Sequence, residues 1–223
     1  MPDLDTGGPH GERPATLVLV IGTATEIGKT WVGGRTLAAL RRAGYKVAAR
    51  KPAQSYDPDV PEPTDAEVLG GGSGESPETV CPPHRWYTVP MAPPMAADVL
   101  GVEVPTIADL LDELTWPTPA VDVGWVETVG GPRSPIADDG DAVTLAQHLD
   151  PDVVVLVADA GLGTISAVLL SMAPFADRRC VIHLNRYDDN DPLHRANHSW
   201  LVERSRLEIS VDTGTLAACL HRH

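Results

Sequence analysis

Positive charge is scarce in this chain of 223 residues, which has 17 lysine and arginine residues against 31 aspartate and glutamate residues. The resulting formal net charge of −14 at pH 7 repels nucleic acids and anionic membranes unless a local basic patch reverses it. The sequence contains no evident patch of that kind. We therefore expect neither nucleic acid nor a membrane as a partner.

Long apolar runs and paired cysteines are missing as well. The longest apolar run, around Val153 to Val157, is far too short to span a bilayer. Cys81, Cys180 and Cys219 have no metal-binding or redox spacing, so buried or incidental thiols are expected. Because the N-terminus is polar and rich in proline and glycine rather than signal-like, we expect a cytoplasmic protein.

The length favours one domain with a sizeable core, because single α/β domains commonly run to roughly 200 to 250 residues. Residues 1–14 contain glycine, proline and charge without periodicity, and we predict a disordered tail there. A single domain is predicted over residues 15–223.

Short apolar segments alternate with helical patterns along this domain, and several of the segments are apolar on both faces. This pattern is typical of an α/β fold with a doubly wound, mostly parallel sheet and helices on both faces. Thr64 is the predicted N-cap of a short helix, Asp65 to Leu69, which ends in a flexible break at Gly70 to Gly74. The predicted strands are Leu17 to Ile21, Lys46 to Lys51, Val121 to Glu127, Val153 to Ala158, Cys180 to Leu184 and Leu207 to Val211.

The segment Gly22 to Thr30 joins the first predicted strand to a helical pattern. A glycine-bearing turn at this point directs several backbone N–H groups at one place, where the helix dipole also favours an anion. Lys29 adds a positive charge for phosphate oxygens, and Thr30 adds a hydroxyl for magnesium. Five residues separate Gly22 from Gly28, one more than in the ordinary Walker pattern. We predict a phosphate-binding loop in a P-loop NTPase-like fold.

Charged residues at other strand ends point to the same place, because ligands of such sheets lie beyond the carboxyl ends of the strands. Lys51 ends the second predicted strand and can reach a ligand there, although a lysine at a strand end is also often a solvated charge. Burial of the Glu127 carboxylate without a cation or hydrogen bonds is costly, and a magnesium ion would satisfy it. Asp65 is either a second magnesium ligand or a charge that stabilises a helix N-terminus.

Two further segments could contact a ligand. Gly161 to Thr164 precedes a helix and resembles a second anion cradle, because glycines let the backbone approach a ligand closely. Asn185 follows a strand, and its amide can either pair with the edge of a base or cap the next loop. His194 and His198 are four residues apart but lack further zinc ligands, so surface histidines are expected.

Together these segments resemble the dethiobiotin synthetase family over roughly residues 16–187. The segments that carry the resemblance are Gly22 to Thr30, Lys51-Pro52-Ala53-Gln54-Ser55, Thr64-Asp65-Ala66, Tyr87 to Pro93, Val126 to Gly131 and Gly161 to Ser166. The resemblance implies a homodimeric P-loop fold and an ATP-dependent cyclo-ligase of biotin biosynthesis. Its substrates would be CO2 and the diamino acid 7,8-diaminopelargonate, its cofactors ATP and Mg2+, and its intermediate a phosphorylated carbamate.

The resemblance also implies a role for individual residues. The catalytic residues would be Lys29, Lys51 and Thr25. The nucleotide would be bound by Thr23, Glu26, Ile27, Gly28, Lys29, Thr30 and Asn185. Magnesium would be held by Thr30, Asp65 and Glu127. The diamino acid would be bound by Ser55, Pro90 and Met91, and its carboxylate by main-chain groups near Gly163, Thr164, Ile165 and Ser166 of the partner subunit.

Several substrate-side positions depart from the family pattern. Thr128 and Val129 replace glycine and alanine beside Glu127, which adds β-branched bulk and would narrow the diamine site. Ser166 replaces a frequent asparagine. Asn197, with the residue after it, occupies the region where related enzymes often carry a tyrosine that helps hold the substrate carboxylate.

Three alternatives remain beside this interpretation. The first is a paralogous ATPase with a different small-acid substrate, as in cobyrinate-type amide synthetases, which usually carry a glutaminase domain that this length excludes. The second is a ParA-like switch ATPase, whose signature lysine is absent because Gly22 and Thr23 stand at the start of the loop. The third is a nucleotide-binding regulatory protein without turnover. It is disfavoured by the joint presence of Lys29, Thr30, Lys51, Asp65 and Glu127.

Overall fold

The computed structural model describes residues 11–220. Ten strands form within these residues: β1 (Thr16–Gly22), β2 (Val47–Arg50), β3 (Gln54–Ser55), β4 (Trp86–Tyr87), β5 (Val123–Glu127), β6 (Pro135–Ala137), β7 (Gly140–Asp141), β8 (Val153–Asp159), β9 (Cys180–Asn185) and β10 (Glu208–Ser210). The α-helices of the same part of the chain are α1 (Lys29–Arg42), α2 (Asp65–Ser73), α3 (Pro77–Val80), α4 (Pro93–Leu100), α5 (Ile107–Asp112), α6 (Ala142–Leu149), α7 (Thr164–Met172), α8 (Pro192–Glu203) and α9 (Thr213–Leu220).

Six of these strands form one parallel sheet in the order β10-β9-β8-β1-β5-β2. Strand β1 lies inside this sheet, with β5 and β2 on one side and β8, β9 and β10 on the other. The order therefore reverses at β1, and a crevice at its carboxyl end is the usual place for a ligand in such a sheet. The predicted α/β fold with a doubly wound parallel sheet is confirmed.

Strand β1 shows why the sheet is covered on both faces. Leu17, Leu19 and Ile21 are buried in one apolar cluster with residues of α5 to α8. Val18 and Val20 are buried in a second cluster with residues of α1, α2 and α9. Because successive side chains of a strand point to opposite faces, an unbroken apolar run feeds both cores. Each fully buried side chain of this size contributes roughly 1.5 to 3 kcal/mol.

The predicted tail overlaps the described residues at its end. Residues 1–10 lie outside them, as do residues 221–223. Glu12 accepts a hydrogen bond from the amide of Ala120 at 3.1 Å, and Arg13 pairs with Asp152 at 3.1 Å. Residues 12 and 13 therefore lie against the domain, further towards the N-terminus than predicted. No helix between residues 11 and 220 is long and apolar enough to cross a membrane.

The predicted flexible break at Gly70 to Gly74 is wrong, because α2 continues to Ser73. Its start agrees with prediction: Thr64 is the N-cap and forms a capping box with Glu67. The helix continues because its glycines allow close packing on α1. A Cβ at Gly72 would lie 2.6 Å from the carbonyl oxygen of Gly34. Here glycine permits contact between two backbones rather than a break.

We expect Gly72→Ala to destabilise the protein by about 1 to 3 kcal/mol, because the added methyl group overlaps the backbone of α1. Gly71→Ala is a matched control, since a Cβ at Gly71 meets nothing within 4 Å. The control should stabilise the helix by about 0.5 to 1 kcal/mol. The free energy of unfolding in urea measures both changes. Equal effects of the two substitutions would contradict the packing explanation.

His183 is a buried titratable residue in the sheet and contacts Ser210 on the neighbouring strand. Its Nδ1 lies 3.0 Å from the Ser210 hydroxyl, and its ring is 1% exposed. Burial lowers the pKa of His183 to about 4, although the charge of Asp212 acts in the opposite direction. The native state therefore disfavours protonation of this ring at weakly acidic pH.

Stability should fall as the pH drops from about 6.5 towards 4, because the unfolded chain binds a proton at His183 that the native chain resists. Between about pH 7.5 and pH 5 this residue should account for a loss of about 2 kcal/mol. We expect the double variant His183→Leu, Ser210→Ala to lack this part of the pH dependence and Ser210→Ala alone to keep it. Urea unfolding at both pH values tests this, and parallel pH profiles would contradict it.

Candidate active site

The loop after β1 has a shape that requires glycine at both ends. A Cβ at Gly22 would lie 2.8 Å from the carbonyl oxygen of Ala24. Gly28 is the N-cap of α1 with φ of 90°, and a Cβ there would lie 2.3 Å from the amide nitrogen of Asn185. The loop thus curls tightly and ends at a helix N-terminus, an arrangement that suits an anion.

Lys29 is the first residue of α1 and folds back over this loop. Its side chain is largely buried, and Nζ lies 3.4 Å from the carbonyl oxygen of Ala24. Burial and the positive charge of Lys51 lower the pKa of Lys29, against the opposing attraction of Glu127 and Asp65. An anion bound in the loop would relieve the cost of this partly desolvated charge.

Lys51, Asp65, Glu127 and Thr30 form one cluster at the carboxyl ends of β2 and β5. Lys51 Nζ lies 2.6 Å from Asp65 Oδ2 and 2.9 Å from Glu127 Oε1. The Thr30 hydroxyl lies 2.7 Å from Asp65 Oδ1 and 2.8 Å from Glu127 Oε1. These side chains come from four separate segments, and Lys51 and Glu127 are buried.

Electrostatics favours the charged forms of Lys51 and Asp65. Burial alone would lower the pKa of Lys51, but the adjacent carboxylates of Asp65 and Glu127 raise it above its ordinary value. Burial likewise opposes ionisation of Asp65, but the Lys51 ammonium and the Thr30 hydroxyl hold the pKa of Asp65 below its usual range. Lys51 is therefore a permanent cation at the sheet end rather than a solvated strand-end charge.

The two carboxylates and the hydroxyl suit Mg2+, which prefers hard oxygen donors. Glu127 Oε2 is buried and has no hydrogen-bond partner. This oxygen is therefore available to coordinate a cation. Within residues 11–220, no three histidine, cysteine, aspartate or glutamate side chains come together as a metal site. A magnesium ion held here would thus need further oxygens, such as those of phosphate and water.

We expect Lys51→Met to destabilise the protein by about 3 to 5 kcal/mol, because it leaves the buried Glu127 carboxylate unpaired beside Asp65. Adding Glu127→Gln to that variant should recover about 2 kcal/mol through removal of the unpaired charge. Unfolding free energies of the two single variants and the double variant measure the coupling. Additive effects would contradict a buried ion pair between these residues.

The predicted second cradle precedes α7. Gly163 has φ of 90° and is the N-cap of this helix. The Thr164 hydroxyl donates to the carbonyl oxygen of Asp159, and the Gly161 amide donates to the Asp159 carboxylate at 2.8 Å. Ile165 is half-buried, whereas Ser166 is exposed. These bonds close the loop into a compact turn whose tip faces outwards.

The residues predicted to bind the diamino acid lie in a short strand pair and in the turn that follows it. Ser55 pairs with Tyr87 in the short β3–β4 ladder, and the Ser55 hydroxyl is buried without a partner. Pro90 and Met91 are exposed in the turn that follows. A narrow cavity beside the charged cluster, with no room for a water molecule, is lined by Pro52, Ala53, Glu127, Thr128, Val129 and Ile136.

Thr128 does not use its hydroxyl in this cavity. The hydroxyl donates to the carbonyl oxygen of Val20 at 3.1 Å, and the Thr128 amide donates to the same oxygen at 3.0 Å. Thr128 therefore extends the pairing of β1 with β5. Its neighbour Val129 is half-buried and adds an apolar group to the cavity wall.

The remaining nucleotide-loop residues surround the same turn. The Asn185 amide donates to the carbonyl oxygen of Ile27 at 2.9 Å, so its side chain contacts the loop after β1 rather than capping its own loop. Thr23 donates its backbone N–H to the Val157 carbonyl oxygen at 3.0 Å. Thr25 is exposed and Glu26 has φ of 57°.

Two buried polar residues near the site make contacts that the sequence did not predict, although Asn197 had been noted as standing where related enzymes often carry a tyrosine. Gln54 accepts a hydrogen bond from the Ala66 amide at 2.9 Å and so holds the start of α2, which carries Asp65. Asn197 bonds to the loop before α7. Gln54 could have been noticed as a polar residue just after a predicted buried strand. Asn197 lies in a helix with little apolar pattern, so the sequence gives no sign that it is buried.

His194 and His198, predicted as surface histidines, are only partly exposed and take part in local contacts. His194 Nδ1 accepts a hydrogen bond from the Asp188 amide at 3.0 Å. The rings of His194 and His198 lie 6.0 and 5.7 Å from that of Tyr187. They are part of a local contact at the start of α8.

The parallel sheet, the glycine loop after β1 and the Lys29-Thr30 pair at the start of α1 define the class of P-loop nucleotide-binding proteins. A family model described as an AAA domain matches residues 16–194, and the chain belongs to that family. Among curated proteins, it is 32% identical over 188 residues to the ATP-dependent dethiobiotin synthetase BioD of Haloferax mediterranei, covering 82% of this chain and 78% of that protein.

Two further relatives have the same name. The protein of Ralstonia nicotianae is 38% identical over 71% of this chain and 70% of its own length. The protein of Anaeromyxobacter dehalogenans is 34% identical over 86% of this chain and 88% of its own length. The chain is a member of the dethiobiotin synthetase family, as the resemblance predicted.

Solved structures with low sequence identity support the fold alone. A protein described as a plasmid partition protein of Borrelia burgdorferi B31, bound to AMPPNP, has a TM-score of 0.52 at 12% identity, covering 90% of this chain and 87% of that chain. The signal recognition particle receptor FtsY of Elizabethkingia anophelis has a TM-score of 0.50 at 15% identity, covering 90% and 59%. Both agree with a parallel sheet of the P-loop class.

Proposed function

We propose that this protein is an ATP-dependent cyclo-ligase that converts 7,8-diaminopelargonate and CO2 into dethiobiotin. Family membership supports the reaction class. The observation that carries the proposal is the buried cluster of Lys51, Asp65 and Glu127 beside Lys29 and Thr30. This group of side chains combines two cations that could contact phosphoryl oxygens with oxygen donors that could hold a metal ion. ATP-dependent phosphorylation requires both.

The chemistry divides into three steps. One amine of the diamino acid adds to CO2, giving a carbamate after loss of a proton. A carbamate oxygen then attacks the γ-phosphorus of ATP, and ADP leaves. The second amine attacks the carbamoyl carbon, closes the ureido ring and expels phosphate. Holding these groups together in one site supplies much of the rate, because the reactions become intramolecular.

Lys29 and Lys51 would bracket the transferred phosphoryl group. Lys29 reaches over the loop from the start of α1, and Lys51 is held in place by two carboxylates. A fixed cation stabilises charge that develops in the transition state without having to reorganise. The raised pKa of Lys51 keeps that cation charged and makes it an electrostatic rather than a proton-transferring group.

Mg2+ would be held by Thr30, Asp65 and Glu127. The support is the buried oxygen of Glu127 that has no partner, together with the all-oxygen donor set. When bound, the ion supplies charge neutralisation at the nucleotide phosphates.

The nucleotide would lie along the loop after β1. Main-chain groups of Thr23, Glu26, Ile27 and Gly28 would bind its phosphates, and Asn185 would contact its base. The Asn185 side chain already touches Ile27, so a base bound there would adjoin the loop directly.

The diamino acid would lie on the side of Thr25, Ser55, Pro90 and Met91. The buried hydroxyl of Ser55 without a partner is one candidate contact for an amine or carbamate. Val129 places an apolar group on the same side of the charged cluster.

Its carboxylate would be bound by main-chain groups of Gly163, Thr164, Ile165 and Ser166 from a second subunit. Support for a homodimer comes from the exposed leucines of this region, among them Leu162, which is 92% exposed, and Leu170, which is 73% exposed. Apolar surface of this kind is typically covered by a partner. ATP and a small diamino acid as substrates are consistent with a cytoplasmic enzyme.

Incubation with labelled bicarbonate, the diamino acid, ATP and Mg2+ should give labelled dethiobiotin and one phosphate per product. Lys29→Met should lower kcat by at least about 100-fold, because the γ-phosphate loses a charge contact. Gly71→Ala, which lies away from the site, should retain activity. ATP hydrolysis without labelled product would contradict the proposal and favour a paralogous ATPase with another small-acid substrate.

A further inference from the structure

Asn197 is a buried amide on α8 that bonds to the loop between β8 and α7. Its Nδ2 donates to the carbonyl oxygen of Ala160 at 2.9 Å and to that of Gly161 at 2.8 Å. The residue is 7% exposed. One amide group thus uses both of its N–H bonds on two consecutive carbonyls of one loop, a contact that few side chains could replace.

This contact fixes the direction of the following peptide. The C=O of Gly161 and the N–H of Leu162 belong to one planar trans peptide, so they point in opposite directions. Because Asn197 draws the carbonyl inwards, the Leu162 N–H is turned outwards. The Leu162 side chain, which is 92% exposed, lies on the same outer part of the loop.

The outer part of this loop carries several donors that nothing in the fold uses. Within residues 11–220, the backbone N–H groups of Leu162, Gly163, Ile165 and Ser166 have no hydrogen-bond partner. The first turn of a helix leaves such donors available, and they attract an anion. Their common direction depends on the shape of the turn that Asn197 holds.

Other contacts close the loop but do not replace Asn197. The carboxylate of Asp159 accepts from the Gly161 amide, and the Thr164 hydroxyl donates to the Asp159 carbonyl oxygen. The Thr164 amide also donates to the Gly161 carbonyl oxygen, at 3.3 Å. All three bonds are local. Asn197 instead connects the loop to α8. This helix is anchored in the core by Leu201, which is fully buried.

We propose that Asn197 is a positioning residue for the substrate carboxylate. It acts through the loop from Ala160 to Gly163, which it holds so that the free N–H groups at the start of α7 converge on a carboxylate bound from a second subunit. The proposal rests on the proposed function, which places the carboxylate of the diamino acid at Gly163 to Ser166.

The test compares the diamino acid with its carboxyl methyl ester in the full-length protein. We expect Asn197→Ala to raise KM for the diamino acid about tenfold and to reduce the preference for the acid over the ester by a similar factor, as loss of one charged hydrogen bond would do. kcat and KM for ATP should stay within about twofold, because the phosphate loop is separate. Ser199→Ala, on the exposed side of the same helix, is the matched control.

If the alanine variant does not fold, Asn197→Ser is a second variant. Its side chain is polar but too short to reach both the Ala160 and the Gly161 carbonyl oxygens. Unchanged KM and ester preference in a folded, active variant would overturn the inference and leave the proposed function intact. Equal loss in kcat and in both KM values would also overturn it, since that marks a purely structural role. A wild-type protein that forms no product would overturn the proposed function and this inference together.

Discussion

The buried pairing of Lys51 with Glu127 and Asp65 is the interaction on which the site depends. A carboxylate with no solvent exposure, such as that of Glu127, is stable only beside a cation or several donors. Lys51 supplies that cation and draws the ends of β2, β5 and the start of α2 to one point. In the proposed reaction, the charge that this arrangement keeps out of water is also the charge that would face a phosphoryl group and a metal ion.

The position of Asp65 follows from backbone packing rather than from charge alone. Gly34 of α1 and Gly72 of α2 let the two helices approach until their backbones nearly touch. Gln54 accepts a hydrogen bond from the Ala66 amide and so fixes the helix start. Small residues in the helices and one buried amide thereby hold a carboxylate within reach of Lys51, although Asp65 itself is partly exposed.

Much of the fold and of the phosphate side could be predicted because both rest on local signals. The apolar strand, the glycine turn and the Lys29-Thr30 pair are contiguous, and strand ends in a parallel sheet share one edge. The prediction of a flexible break at Gly70 to Gly74 was wrong because a run of glycines is equally compatible with a break and with tight helix packing. Only the neighbouring helix distinguishes the two. A glycine-bearing turn before α7 was predicted from the sequence, but its contact with Asn197 was not, since that residue is distant in sequence.

The sequence by itself determined the class of fold, the phosphate loop and the residue types at the strand ends, because periodicity and glycine placement act over a few residues. Tertiary structure alone decided that Thr128 turns its hydroxyl to Val20, that α2 continues across its glycines, and that Asn197 holds the loop before α7. Each of these depends on a partner far along the chain. Hydrogen bonds and close packing between distant segments leave little trace in the local pattern of either one.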